Sequence, residues 1–196
     1  EYIDDCRNRL ALPRFEKNFR EKTREAWTAF TQAETELRQI MDADKTTHRR
    51  GEELIRKCGD ALKTALPDAS FELGFNGQKY ELILSLEGLR SRLFPLVYFQ
   101  SQAPEPVLEH WNIRVGRQPS REFELRAGDI RVRAADVQTW AEKTEGQQVQ
   151  LAFYCEKLTP LLKNDPDRVW WAISLLLDQV IGEISAIASV AGFDVL

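Results

Sequence analysis

Few side chains in this chain have types and spacings that could do chemistry. Glu183 stands first. It follows an apolar run and Gly182, where an unpaired carboxylate would be costly to bury. Arg114 or Arg117 would neutralise it. Such a pair would serve as a structural bridge, or as a carboxylate/arginine site for a substrate or small ligand. Glu81 and Glu87 fall on one side of a predicted strand with Ser85 between them. Paired acids in that arrangement can do acid/base work, but the expected reading is a solvated or helix-covered face. His110 precedes Trp111 beside an arginine-bearing strand, where an imidazole would act as a general base or simply stand in solvent. Cys58 and Cys155 would each need a histidine partner for nucleophilic catalysis, yet both occupy predicted core positions.

The remaining motifs exclude more than they suggest. The three cysteines, Cys6, Cys58 and Cys155, are scattered without a Cys-x-x-Cys spacing, and only His48 and His110 could assist them. A structural zinc site wants four such ligands at tight spacings, so no metal and no cofactor is expected. There is no Gly-rich phosphate loop, no G-x-S-x-G elbow and no H-E-x-x-H helix. Free thiols suit a reducing compartment. Glu1–Asp5 has neither the basic stretch nor the apolar run of a signal peptide, so the expected location is the cytoplasm.

Charge is uneven along the 196 residues, whose net charge is −4. Residues 114–133 carry six basic groups against three acidic ones, and residues 134–196 carry four against nine. The basic run Arg114, Arg117, Arg121, Arg126, Arg131 and Arg133, with Trp111 and Phe123 nearby, has the composition of a single-strand nucleic-acid surface. Glu122, Glu124 and Asp129 interrupt it, and nucleic acid is therefore not the expected partner. An acidic C-terminal face including Glu156, Asp165 and Asp167 would instead meet a basic protein, with complementarity setting on-rate and specificity.

The elements that must position these groups follow from periodicity. Pro13 opens a long amphipathic helix over about 13–42, with Phe15, Phe19, Trp27, Phe30, Leu37 and Ile40 at helical spacing. Residues 42–50 break it, and a second helix over about 51–66 completes a helical hairpin ended by Pro67. Asn76-Gly77 between alternating Phe71/Leu73/Phe75 and Tyr80/Leu82/Leu84/Leu86 predicts a β-hairpin. A helix is expected over 91–102, an extended exit at Ala103-Pro104-Glu105-Pro106, and then short strands over 111–156 in an antiparallel meander. Asp165-Pro166-Asp167 starts a helix that is apolar all round and too short to span a bilayer, so it should be buried. Residues 184–196 read as a last strand.

The succession of Trp27 and Phe30, Glu81-Leu82-Ile83-Leu84-Ser85 ending in Glu87-Gly88, Leu93-Phe94-Pro95-Leu96-Val97, Trp111-x-Ile113 and Gly182-Glu183 resembles a bacterial α+β domain family without an assigned activity. The resemblance implies helices packed on one sheet and carries over no catalytic residue.

The expected fold is a single α+β domain over 1–196: a helical hairpin (1–67), then a mainly antiparallel sheet with two helices, one the buried C-terminal helix (68–196). The expected function is non-enzymatic protein binding, of the kind shown by an immunity protein that neutralises a cognate toxin. The alternative is an enzyme or small-ligand binder around Glu183. No membrane partner is expected, and the apolar stripe on the first helix would also permit a homodimer.

Overall fold

The structure is a computed structural model that describes residues 17–43, 50–120, 123–128, 130–144 and 146–196. Pro13, Phe15, Cys6 and His48 lie outside the described residues. The fold is mixed α+β; among the described residues there are seven α-helices and eight strands in three mostly antiparallel sheets. Two compact units make it up, Glu1–Ala69 with Gln102–Val107, and Ser70–Ser101 with Leu108–Leu196.

The first unit is the predicted helical hairpin. Helix α1 spans Phe19–Ala43 and α2 spans Gly51–Leu62. The start of α1 is later than the periodicity suggests, because Asn18 and Glu21 form a capping box. The Glu21 amide donates to Asn18 Oδ1 at 3.0 Å, and the Asn18 amide donates to Glu21 Oε2 at 3.2 Å. Ala26, Trp27, Phe30, Leu37 and Ile40 are buried along α1, and Cys58, Ala61 and Leu62 along α2. Each large side chain so buried contributes about 1.5–3 kcal/mol. Trp27 and Phe30 meet edge to face with centroids 5.5 Å apart. Lys57 and Glu36 tie the two helices together at 2.8 Å.

The second unit holds the eight strands found among the described residues. β1 (Ser70–Phe75) and β2 (Tyr80–Ser85) form the hairpin that Asn76-Gly77 predicts, with Phe75 opposite Tyr80 and Ser70 opposite Ser85. The chain leaves β2 through a 3₁₀ turn at Arg90–Arg92 and α3 (Leu93–Ser101). The expected extended exit is corrected to a short helix, α4 (Glu105–His110). Pro106 sits in its first turn, where a missing N–H costs nothing, and the Val107 amide donates to Pro104 O at 3.0 Å.

β3 (Trp111–Val115) then pairs with β2 in parallel, which departs from the expected meander. The physical reason is the long helical crossover, which returns the chain to the same end of the sheet, as parallel pairing requires. β4 (Glu124–Ala127) and β5 (Ile130–Arg133) form a separate antiparallel pair. β6 (Gln138–Lys143) and β7 (Val149–Tyr154) form a third hairpin.

A one-turn helix α5 (Thr159–Leu162) leads to α6 (Pro166–Ile181), whose N-cap is Asp165, as expected. Helix α6 is not buried all round. Val169, Ala172, Ile173 and Leu176 share a core with Leu125, Ile130 and Val132 of β4 and β5 and with Leu151 and Phe153 of β7. Trp170, Trp171 and Val180 remain exposed, because only one face of the helix packs into that core. The predicted last strand divides into α7 (Glu183–Ser189) and β8 (Val190–Val195), and β8 pairs in parallel with β7. Among the described residues no single helix is long and apolar enough to cross a membrane.

Candidate functional site

Three chain ends converge in the second unit, and the registers explain why. β2 and β3 are parallel, so their C-terminal ends lie side by side, with Leu84 opposite Val115 and the Gly116 amide donating to Leu84 O at 2.8 Å. β1 runs antiparallel to β2, which brings its first residues to the same end. Glu72 therefore comes from β1, Ser85 and Glu87 from the end of β2, and Arg117 from the end of β3.

Gly116 re-aims the chain there. Its φ of +75° ends the strand alternation. A Cβ at this position would meet Ile184 Cγ1 at 3.1 Å and Leu86 Cδ1 at 3.4 Å. The segment after β3 then grips the corner between α6 and α7, where the two helix axes differ by 103°. Gly182 forms that corner with φ +87°, and Pro119 packs against it. The Ser120 amide donates to Gln179 O across the same junction.

Glu183, first residue of α7, is completely buried, and both of its oxygens have partners. Ser85 Oγ donates to Oε1 at 2.8 Å, and the Arg117 amide donates to Oε2 at 3.0 Å. The Glu183 amide returns a bond to Arg117 O at 3.0 Å. These bonds are what make a buried carboxylate tolerable.

The Arg117 guanidinium is only 13% exposed and faces four carboxylates. Its nitrogens lie 2.6 Å from Glu72, 3.2 Å from Glu87, 3.4 Å from Asp178 and 3.8 Å from Glu183. One positive charge cannot neutralise four negative ones. The imbalance falls on Asp178, whose pKa is pushed to about 6 by burial and by the Glu183 charge, against the pull of Arg117. Burial pushes Glu87 up as well, but hydrogen bonding with Ser85 and the Arg117 charge outweigh it and hold its carboxyl below the ordinary range. Burial would lower the Arg117 pKa, yet its bond to Glu72 and the surrounding carboxylates raise it.

Glu87 also has φ +50°, a conformation that non-glycine residues adopt at a cost of about 1–2 kcal/mol. Arg117, Glu87 and Asp178 line a cleft of about 390 Å³ whose other wall includes Trp171, Ile187 and Phe193. Glu183 is fully buried and does not line the cleft. Its bonds to the Arg117 main chain hold that residue at the end of β3.

Compared with family models, curated proteins and solved structures, the chain matches none of them. The chemistry of the site therefore rests on its own geometry. Among the described residues no group of three or more His, Cys, Asp or Glu is arranged to hold a metal ion.

The candidates from the sequence divide sharply. Glu183 and Arg117 come together. Arg114 does not join them: it lies on the strand face beside Glu81, at 3.7 Å. Glu156 and Asp167 are exposed, and neither bonds to the Arg117 cluster. Asp165 caps α6 by accepting from the Arg168 amide at 3.2 Å. His110 is exposed at the end of α4, and Cys58 and Cys155 are buried free thiols. Two members of the cluster, Glu72 and Asp178, escaped the sequence reading. The signal for Asp178 was available, since it is the one charge inside the apolar run Val169–Ile181.

Proposed function

We propose that the chain is a non-enzymatic protein-binding domain whose second-unit cleft receives a basic side chain from its partner. The observation that carries this reading is that two carboxylates, Glu87 and Asp178, line the cleft beside the exposed Trp171, while the Arg117 guanidinium between them is also held by Glu72 and Glu183. Arg117 is saturated by its own carboxylates, which leaves it no free edge for an anionic substrate. Glu87, partly exposed, and the more buried Asp178 supply negative charge, and Trp171 supplies an aromatic wall. A guanidinium or ammonium entering there would gain charge-assisted hydrogen bonds and ring contact together.

This geometry favours a cationic protein as partner. An immunity-type protein that caps the basic catalytic cleft of a toxin would meet such a surface. The enzyme reading has less support, because both oxygens of Glu183 are bonded internally and no ligand in the cleft reaches them.

The test is affinity capture from the native cell lysate with wild-type and Glu87→Lys baits, checked for equal folding by circular dichroism. A stoichiometric basic protein held by the wild type and lost from Glu87→Lys is the expected result. A partner retained equally by both baits contradicts the proposal.

A further inference from the structure

The first unit carries a second cleft of opposite character, of about 440 Å³, set along α1. Arg20 and Arg24 line one end, one helical turn apart. Like charges at that spacing repel, and among the described residues neither guanidinium makes an ion pair. Thr23, between them in sequence, lines the same cleft and is 1% exposed. Its hydroxyl has no hydrogen-bond partner, alone in this among the buried side-chain polar atoms of the described residues.

The contrast with neighbouring threonines is informative. Thr28 and Thr31, further along the cleft, donate to the carbonyls four residues back, Arg24 O at 2.9 Å and Trp27 O at 2.8 Å. Thr23 forgoes that bond. A buried hydroxyl without a partner is costly, and one lining the same cleft as two arginines without ion pairs is a donor available to an anion there. Thr28 and Thr31 have spent their protons and present only oxygen lone pairs to the cleft, so they would accept from a ligand's hydroxyl groups.

We infer that this cleft is a binding site for a small phosphate monoester bearing hydroxyl groups. Arg20 and Arg24 clamp the phosphate, Thr23 donates to it, and Thr28 and Thr31 accept from the hydroxylated body along the helix. Planar guanidinium forks match phosphate oxygens in both charge and geometry. The site is independent of the Arg117 cleft, which has the opposite charge preference.

The experiment is calorimetric titration of the full chain with inorganic phosphate, glycerol 3-phosphate, ribose 5-phosphate, glucose 6-phosphate and the unphosphorylated sugars. At least one ester should bind about tenfold more tightly than inorganic phosphate, and the free sugars should not bind. Arg24→Gln should weaken that ester about tenfold or more. Thr23→Val should also weaken it, by several-fold, while the free variant resists denaturant better than wild type, having lost the unpartnered hydroxyl. A merely structural Thr23 would not couple these two changes. The proposal is overturned if no ester binds at millimolar concentration, if inorganic phosphate binds as tightly as every ester, or if Thr23→Val binds like wild type.

Discussion

Glu183 and Arg117 are joined twice through the main chain: the Arg117 amide donates to Glu183 Oε2 and the Glu183 amide donates to Arg117 O, each at 3.0 Å. This reciprocal pair locks the end of β3 to the α6–α7 corner and fixes the place from which Arg117 reaches its other three carboxylates.

Glu183→Gln breaks the lock without changing its size. A glutamine can keep one carbonyl oxygen for Ser85, but its NH₂ then faces the Arg117 amide, donor against donor. Denaturant unfolding should show a loss of about 2–4 kcal/mol, the scale of a broken buried pair. A change below about 0.5 kcal/mol, within the range of an ordinary surface substitution, would show that the buried bonds are not holding this corner.

Asp178 gives the fold a pH dependence of a specific sign. Its folded pKa, about 6, lies above its ordinary value of 3.8. The ionised form is therefore penalised above pH 6, and the penalty is relieved as pH falls from 6 towards 3.8, where the folded state holds the extra proton. Asp178→Asn should stabilise the protein at pH 7.5 by about 1–2 kcal/mol, less than the full shift implies because Arg117 loses a charged partner. The gain should shrink steadily as pH falls below about 6 and vanish only below about 3.8, where Asp178 is protonated in the folded and unfolded states alike. Thermal melts of both proteins from pH 4.5 to 8 check this. An equal difference at all pH values would contradict it.

Gly182 tests the corner itself. At φ +87°, with Pro119 3.2 Å from where a Cβ would stand, alanine is both strained and crowded. Gly182→Ala should cost about 1–3 kcal/mol in denaturant unfolding, and an unaffected midpoint would mean that the corner adapts freely.

Cys58 should be inert in the folded protein. Burial pushes its thiol up to about 12, so almost no thiolate exists at pH 8. Site-resolved mass spectrometry after treatment with an aromatic disulfide reagent should find Cys58 unlabelled in native buffer and fully labelled in denaturant. Rapid native labelling would contradict its placement in the core.

Much of this architecture was legible in the sequence for identifiable reasons. Asn76-Gly77 fixed a register that runs pair by pair from Ser70/Ser85 to Phe75/Tyr80, because a tight turn leaves no freedom in the strands beside it. Asp165-Pro166 marked the start of α6 through local capping chemistry. The parallel pairings of β3 and β8 were not legible, since alternation reports which face of a strand is buried and says nothing of which strand lies next to it. The site divides in the same way. Glu183 stood out because its charge follows an apolar helix. The choice of Arg117 over Arg114 depended on Gly116, whose positive φ turns the chain off the strand after Val115. Glu72 sat unnoticed among Phe71 and Leu73, because its partner is 45 residues away.

The most direct test of the cation-accepting cleft is a titration of the ¹⁵N-labelled protein with a short arginine-rich peptide, following the indole N–H of Trp171. The account predicts a saturable shift at Trp171, no shift with a glutamate-rich peptide, and binding weakened about tenfold by Glu87→Gln but not by the control Glu156→Gln, which removes the same charge elsewhere. A silent Trp171, or equal weakening by the two substitutions, would contradict it.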